Sequence, residues 1–337
     1  MTKRRFLPFL PALTLLAMLG PVAAGLWGTF LPAFGHLPAA GLTGPTLDPF
    51  RDLFDWAGLP RAMLLSISTG LLATSISLLI VMLVTAGWSG TRPFRLLERL
   101  LSPLLSVPHA AAAFGLAFLI APSGWLARLF SPGVTGWERP PDLLIVQDSW
   151  GLTMTAGLIV KEVPFLLLIT LAALGQADAQ RSVTISQALG YGRVTGWLKT
   201  VFPRVYAQIR PPIYVVLAYS MSVVDVAVIL GPNTPPSLSV QIVKWMSDPD
   251  LAMRLEGAAG ALLKLELVIG ACCVAWHGCS DNLVICRFLG IPRCLARSID
   301  MAKLDAFRPR HPGGTGRDSI DCHHRRIGGA GPDHWLS

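Results

Sequence analysis

Charge is scarce in this chain. Only 14% of its 337 residues are Asp, Glu, Lys or Arg, against about 25% in soluble domains, which excludes a large soluble core. Cysteine is missing from everything before Cys272, so no thiolate site organises most of the length. His277, Cys279, Cys286 and Cys294 lack the CxxC spacing of a zinc site, and no metal ligand set is expected. A GxxxxGK[ST] phosphate loop is absent too. The nearest approach, PGGTGRDS from Pro312, lacks the lysine and a preceding strand. Neither HExxH nor GxSxG occurs, so no catalytic constellation stands out.

Apolar residues dominate instead, at 52% with a mean hydropathy of +0.54. A spanning helix needs about 20 mainly apolar residues. Six stretches qualify: 7–31, 62–88, 103–121, 152–174, 211–231 and 252–276. Their Gly and Pro content does not exclude membrane helix. The fold class expected is all-α, a polytopic membrane helix bundle of about six transmembrane helices. The first stretch follows Lys3, Arg4 and Arg5 but exceeds the 7–15 apolar residues of a signal core. It reads as a retained helix.

Basic residues set the orientation. With the N-terminus cytoplasmic, the inner segments receive Lys3, Arg4, Arg5, Arg92, Arg95, Arg99, Arg181, Arg193, Lys199, Arg204 and Arg210. The longer outer loops receive only Arg51, Arg61, Arg128, Arg139, Lys244 and Arg254. The net charge of +8 is thus mainly an inside-facing signature, and no nucleic-acid partner is expected. The outer loops, Leu31 to Pro60, Pro122 to Trp150 and Gly231 to Asp250, are rich in Pro, Gly and Trp. Trp27, Trp56, Trp88, Trp125, Trp137, Trp150 and Trp245 fall near span ends, where interfacial anchoring places them.

Three segments follow: residues 1–60, a first helix and external loop; 61–276, a five-helix core with a cytoplasmic loop at 175–210; and 277–337, a tail rich in Cys, His and Arg. The loop holds QRSVTISQALGYGRVTGWLKTVFPRVYAQIR, Gln180 to Arg210. Val183 to Leu189 reads as a short helix with Val183, Ile185 and Leu189 as apolar contacts. Gly190 and Gly192 flank Tyr191 and permit a sharp turn. Val194 to Val201 reads as a second helix with Val194, Trp197, Leu198 and Val201 largely on one side, and Pro203 breaks it. The product is an L-shaped pair with an apolar face and a basic rim.

This pair resembles the cytoplasmic loop of the permeases of ABC importers, which carries Glu-Ala-Ala, three residues, Gly, nine residues, then Ile-x-Leu-Pro. Gly190 and Pro203 have that spacing, with Phe202 at the Leu position and Thr200, beside Val201, at the Ile position. Thr184, Ile185 and Ser186 replace the Glu-Ala-Ala triplet, which removes a carboxylate that could contact a partner. The loop's place between the fourth and fifth spans also fits that family. VKEVPFLLLITL, from Val160, looks like the preceding helix in iron, thiamine and polyamine-type permeases.

The resemblance implies a permease subunit of a type I importer in a bacterial inner membrane, passing a small solute from an external binding protein to the cytoplasm. It implies a cytoplasmic ABC ATPase dimer as partner, with ATP and Mg bound there and no cofactor on this chain. It also implies a second permease half or a homodimer mate, all embedded in the lipid bilayer. Ser186, Ala188, Gly190, Arg193, Trp197, Lys199, Val201 and Pro203 would form the ATPase-coupling loop. In it Gly190 sets the turn, Trp197 and Val201 fill an ATPase groove, and Arg193 and Lys199 meet an acidic rim.

A rival reading starts from Lys161, Glu162 and Asp225, ionisable residues within expected spans and so candidates for a translocation pathway. It makes the chain an ion-gradient-driven secondary transporter or channel. Lys161 and Glu162 are adjacent and project about 100° apart on a helix, so they cannot both face one pathway. A Lys161–Asp225 pair is one arrangement; a snorkelling Lys161 is the other. His109 reads as a packed helix-entry residue.

The composition changes abruptly near residue 272, and the tail from His277 has no helical or strand periodicity. It is either a disordered cytoplasmic tail or translation in a shifted frame. The second is favoured because the change coincides with the end of the sixth span, and some permeases of the resembled group are fused pairs of six-helix halves. Resequencing the locus across codons 265–285 is expected to show a frame change, and an intact frame would refute it.

Overall fold

A computed structural model describes residues 10–176 and 179–280. The described residues are helices and connecting loops, with no strand beyond an isolated bridge between Leu37 and Leu42. The fold is an all-α helix bundle. Five stretches are long and apolar enough, by length and composition, to cross a membrane: Pro11–Ala33, Leu59–Trp88, His109–Phe130, Leu152–Gln176 and Met253–Trp276. The tail from residue 281 lies outside the described residues, as do residues 1–9.

Helix α1 (Leu10–Ala33) is followed by a short α2 (Asp48–Asp55) and the long α3 (Leu59–Trp88). After a tight turn come α4 (Arg92–Ser106), α5 (His109–Ile120) and α6 (Trp125–Phe130). The third span, expected from residue 103, therefore has a different build. Its first residues belong to α4, and the helix breaks at Val107, which is extended (ψ 127°). Pro108 causes the break by disfavouring helical backbone in the residue before it. A sequence signal marks α4: the Thr91 side chain accepts from the Phe94 N–H at 3.4 Å, and Pro93 occupies the first turn.

Helix α7 (Leu152–Gln176) leads into the loop helices α8 (Ala179–Ala188) and α9 (Arg193–Thr200). The fifth expected span, 211–231, is also corrected. Helix α10 begins at Phe202 and stops at Ser222, and α11 (Asp225–Leu230) follows a break. Arg204 and Arg210 make the first half of α10 polar, which hid its start. The outer stretch after Gly231, expected as loop, contains α12 (Leu238–Met246) before α13 (Met253–Ser280). Trp245 of α12 is buried edge-on against Trp56, ring centroids 5.1 Å apart, so it is a core residue and not an interfacial anchor.

The centre of the bundle is α3, α7 and α10, each packed on the other two. Small residues let them approach. A Cβ on Gly70 would collide with the Met221 side chain and come 3.1 Å from the Met221 backbone nitrogen. Overpacking of this kind costs about 1–3 kcal/mol. Gly70→Val is therefore expected to lower the thermal unfolding midpoint of the detergent-solubilised protein by that equivalent. An unchanged midpoint would mean α10 can retreat from α3 freely.

Candidate functional site

The loop between α7 and α10 is built on one tight helix stop. Gly190 has φ +86°, a left-handed conformation that suits glycine. The Gly190 N–H donates to the Gln187 carbonyl at 2.9 Å and the Tyr191 N–H to the Ser186 carbonyl at 3.1 Å. This is the Schellman pattern, which satisfies the last carbonyls of α8. Gly192 differs: it caps α9 in extended conformation, φ −61° and ψ 155°. The two helices then nearly touch at Gly196, where an added Cβ would collide with the Ser186 hydroxyl and lie 3.1 Å from Ser186 Cβ. Sequence reasoning passed over Gly196, although a glycine inside a short helix is the signal of such an approach.

The eight expected loop residues divide by direction. Ser186, Trp197 and Val201 are buried within the chain, Trp197 with only 1% of its surface exposed. Trp197 and Val201 belong to a core cluster with Val81, Met82, Ala86 and Phe94, and the Trp197 ring lies 6.4 Å from that of Phe202. Their expected place in a partner's groove is therefore corrected: they anchor the loop to α3, α4 and α10. Ala188, Gly190 and Arg193 are exposed. Arg193 donates from Nη2 to the carbonyl of Ser89, the residue that caps the C-terminal end of α3. The Lys199 ammonium sits 4.9 Å from the centre of the Tyr191 ring. Pro203 occupies the first turn of α10, where a missing N–H costs nothing. The apolar groups facing outward are Ile185, Leu189, Tyr191 and, at the margin, Val194, with Leu189 72% exposed.

Beside the loop, a cleft of about 640 Å³ is lined by Phe94, Glu98, Thr184, Gln187 and Arg193 among others. It separates α4 from α8 at the loop end of the bundle and leaves the loop held through Trp197 and Arg193.

The three intramembrane candidates do not converge. Lys161 Nζ donates to the carbonyls of Leu104, Leu105 and Val107 at 3.0, 3.4 and 2.7 Å. It caps the C-terminal end of α4, where a cation is electrostatically favoured. Glu162 faces the other way and accepts from the Ser220 hydroxyl of α10, both groups being buried. Asp225 is exposed in the first turn of α11. The expected Lys161–Asp225 pair is absent, since the one ion pair among the described residues joins Arg51 and Asp48. His109 opens α5 with its ring 5.0 Å from that of Tyr219, as a packed entry residue should.

No protein-family model matches the chain. Over 252 residues, 72% of its length, it is 32% identical to the inner membrane ABC transporter permease protein YnjC of Escherichia coli strain K12. This chain is a homologue of the ABC transporter permeases. It is an inner-membrane protein, in keeping with its five apolar helices. The match covers 46% of YnjC, so the chain spans about half the length of that relative.

Removing the Lys161 cap strands three carbonyls in an apolar setting. Lys161→Met is expected to destabilise the protein by about 1–3 kcal/mol and to speed amide exchange at the end of α4. Exchange as slow as in the parent would show that the cap is dispensable.

Proposed function

We propose that the chain is a permease subunit of an ATP-driven importer, coupled through α8 and α9 to a separate cytoplasmic ATPase dimer that binds ATP and Mg. An external solute-binding protein delivers the solute, and a second permease half or a second copy completes the channel. The observation that carries this reading is the division of labour in the loop. Trp197 and Arg193 clamp it to the bundle, while Ile185, Leu189 and Tyr191 form an exposed apolar face with Arg181 and Arg204 nearby. Such an element transmits a push without bending. ATP-driven closure of the ATPase subunits displaces α8, and α9 passes the displacement to α3 and α10, whose rocking exposes the solute path to alternate sides. The N-terminus lies in the cytoplasm in this arrangement.

Affinity purification of the full chain from native membranes in mild detergent is expected to recover a Walker-motif ATPase in stoichiometric amount. Ile185→Asp and Leu189→Asp should each reduce that recovery at least tenfold without reducing the membrane-inserted chain, because both side chains are exposed. Gly190→Val should do likewise, since a β-branched residue is poorly tolerated at positive φ. An intact, inserted chain that brings down no ATPase would reject the importer reading.

A further inference from the structure

Lys264 is the least expected residue of α13. It sits in a stretch apolar enough to cross a membrane, is 93% buried, and its ammonium has no hydrogen-bond partner among the described residues. No carboxylate among those residues pairs with it. A lone cation in such a place is costly and marks function by default.

The register of α12 against α13 shows what lies beside it. A Cβ on Gly257 would meet Met246 at 3.0 Å, and one on Gly260 would meet Ile242 at 3.2 Å. The two helices thus run antiparallel, and one further turn of each brings Lys264 level with Leu238, the first residue of α12. Leu238 and Ala259 are buried in one cluster, with Leu263 and Leu267 partly buried against it, so α12 and α13 share a core.

The start of α12 is itself unusual. Ser237, Leu238, Ser239 and Val240 are all buried. Ser237 stands at the N-cap position, yet its side chain makes no capping hydrogen bond, and its hydroxyl has no partner among the described residues. Among the described residues, the Leu238 N–H has a side-chain acceptor, Ser66 Oγ of α3 at 3.2 Å. The Ser239 and Val240 N–H groups have no intrahelical acceptor in that turn. Ser239 Oγ donates to the Met221 carbonyl at 3.4 Å, which holds the turn against the end of α10.

We infer that the first turn of α12 and Lys264 form a binding site for a small oxyanion inside the bundle. A helix N-terminus presents N–H donors and positive potential to an anion. The Ser237 hydroxyl adds a donor, and Lys264 supplies the compensating charge. The groups left without a partner there, the Ser237 hydroxyl and the Lys264 ammonium, can both donate, which suits sulfate or phosphate and not a metal ion. The inference does not depend on ATPase coupling, because occupancy is read without ATP.

Equilibrium dialysis of the detergent-purified full chain in chloride buffer, with radiolabelled sulfate and separately with phosphate, tests it. One saturable site for at least one of them is expected. Its affinity should fall at least tenfold in Lys264→Met and several-fold in Ser237→Ala. Lys264→Met should melt no lower than the parent, since it removes an uncompensated buried charge. Absence of saturable binding to the parent protein, or binding by Lys264→Met equal to the parent's, overturns the inference. If Lys264→Met cannot be isolated folded, Ser237→Ala decides: undiminished binding overturns, weakened binding supports.

Discussion

A helix that stops where water cannot reach it must find donors for its last carbonyls, and Lys161 answers that requirement for α4. Lys161 lies nine residues beyond Leu152 along α7, about 14 Å at 1.5 Å per residue. That is near the middle of a hydrocarbon layer of roughly 30 Å. Without the cap, the break at Val107 and Pro108 would leave backbone carbonyls unpaired in an apolar surround, which is the cost the Lys161→Met substitution exposes. The next residue, Glu162, ties α7 to Ser220, two residues before α10 ends. Two helix breaks, α4 to α5 and α10 to α11, therefore stand at one level on either side of one dipeptide. Beyond them α5 and α11 pack on each other as well as on α7. The bundle thus has two halves that meet where Lys161 and Glu162 hold both.

This also gives Lys161 a structural reason for its place, whereas Glu162 keeps one carboxylate oxygen without a partner among the described residues. A group that saturates its hydrogen bonds on carbonyls has no capacity left for a passing ion. Breaking such a buried arrangement by removing one member costs far more than a surface pair is worth. Structural demand accounts for Lys161, whereas nothing comparable accounts for Lys264.

The sequence made the apolar runs and the two loop helices legible, because length and hydropathy suffice for the first and glycine punctuation for the second. Helices expected at Val183 to Leu189 and Val194 to Val201 overlap α8 and α9, each running one residue past the observed end, and α8 starts four residues earlier. The facing of those helices was not legible. Over eight residues, α9 sets Val194, Trp197 and Leu198 against only Arg193 and Lys199, so periodicity gives an apolar face but not whether the bundle or a partner covers it. Helix α12 was hidden by GPNTPPS before it, a run that reads as loop while its last residue serves as an N-cap. Helix α4 was missed although Thr91 and Pro93 announce it, because the apolar run from Pro103 drew the boundary inward.

The inward turn of Trp197 has a physical logic within the proposed function. An indole buries on the order of 200 Å², worth about 5 kcal/mol at 25 cal/mol per Å². If that area belonged to a partner's groove, each release of the partner would expose it to water, and the loop would lose its hold on α3. Placed inside, the same area stays buried in every state and makes the loop rigid. Contact with a partner then rests on Ile185, Leu189 and Tyr191, flexible or amphipathic side chains whose exposure is tolerable when the partner is absent. Strength is kept where the loop must not yield, and a weaker face is left where binding must be reversible.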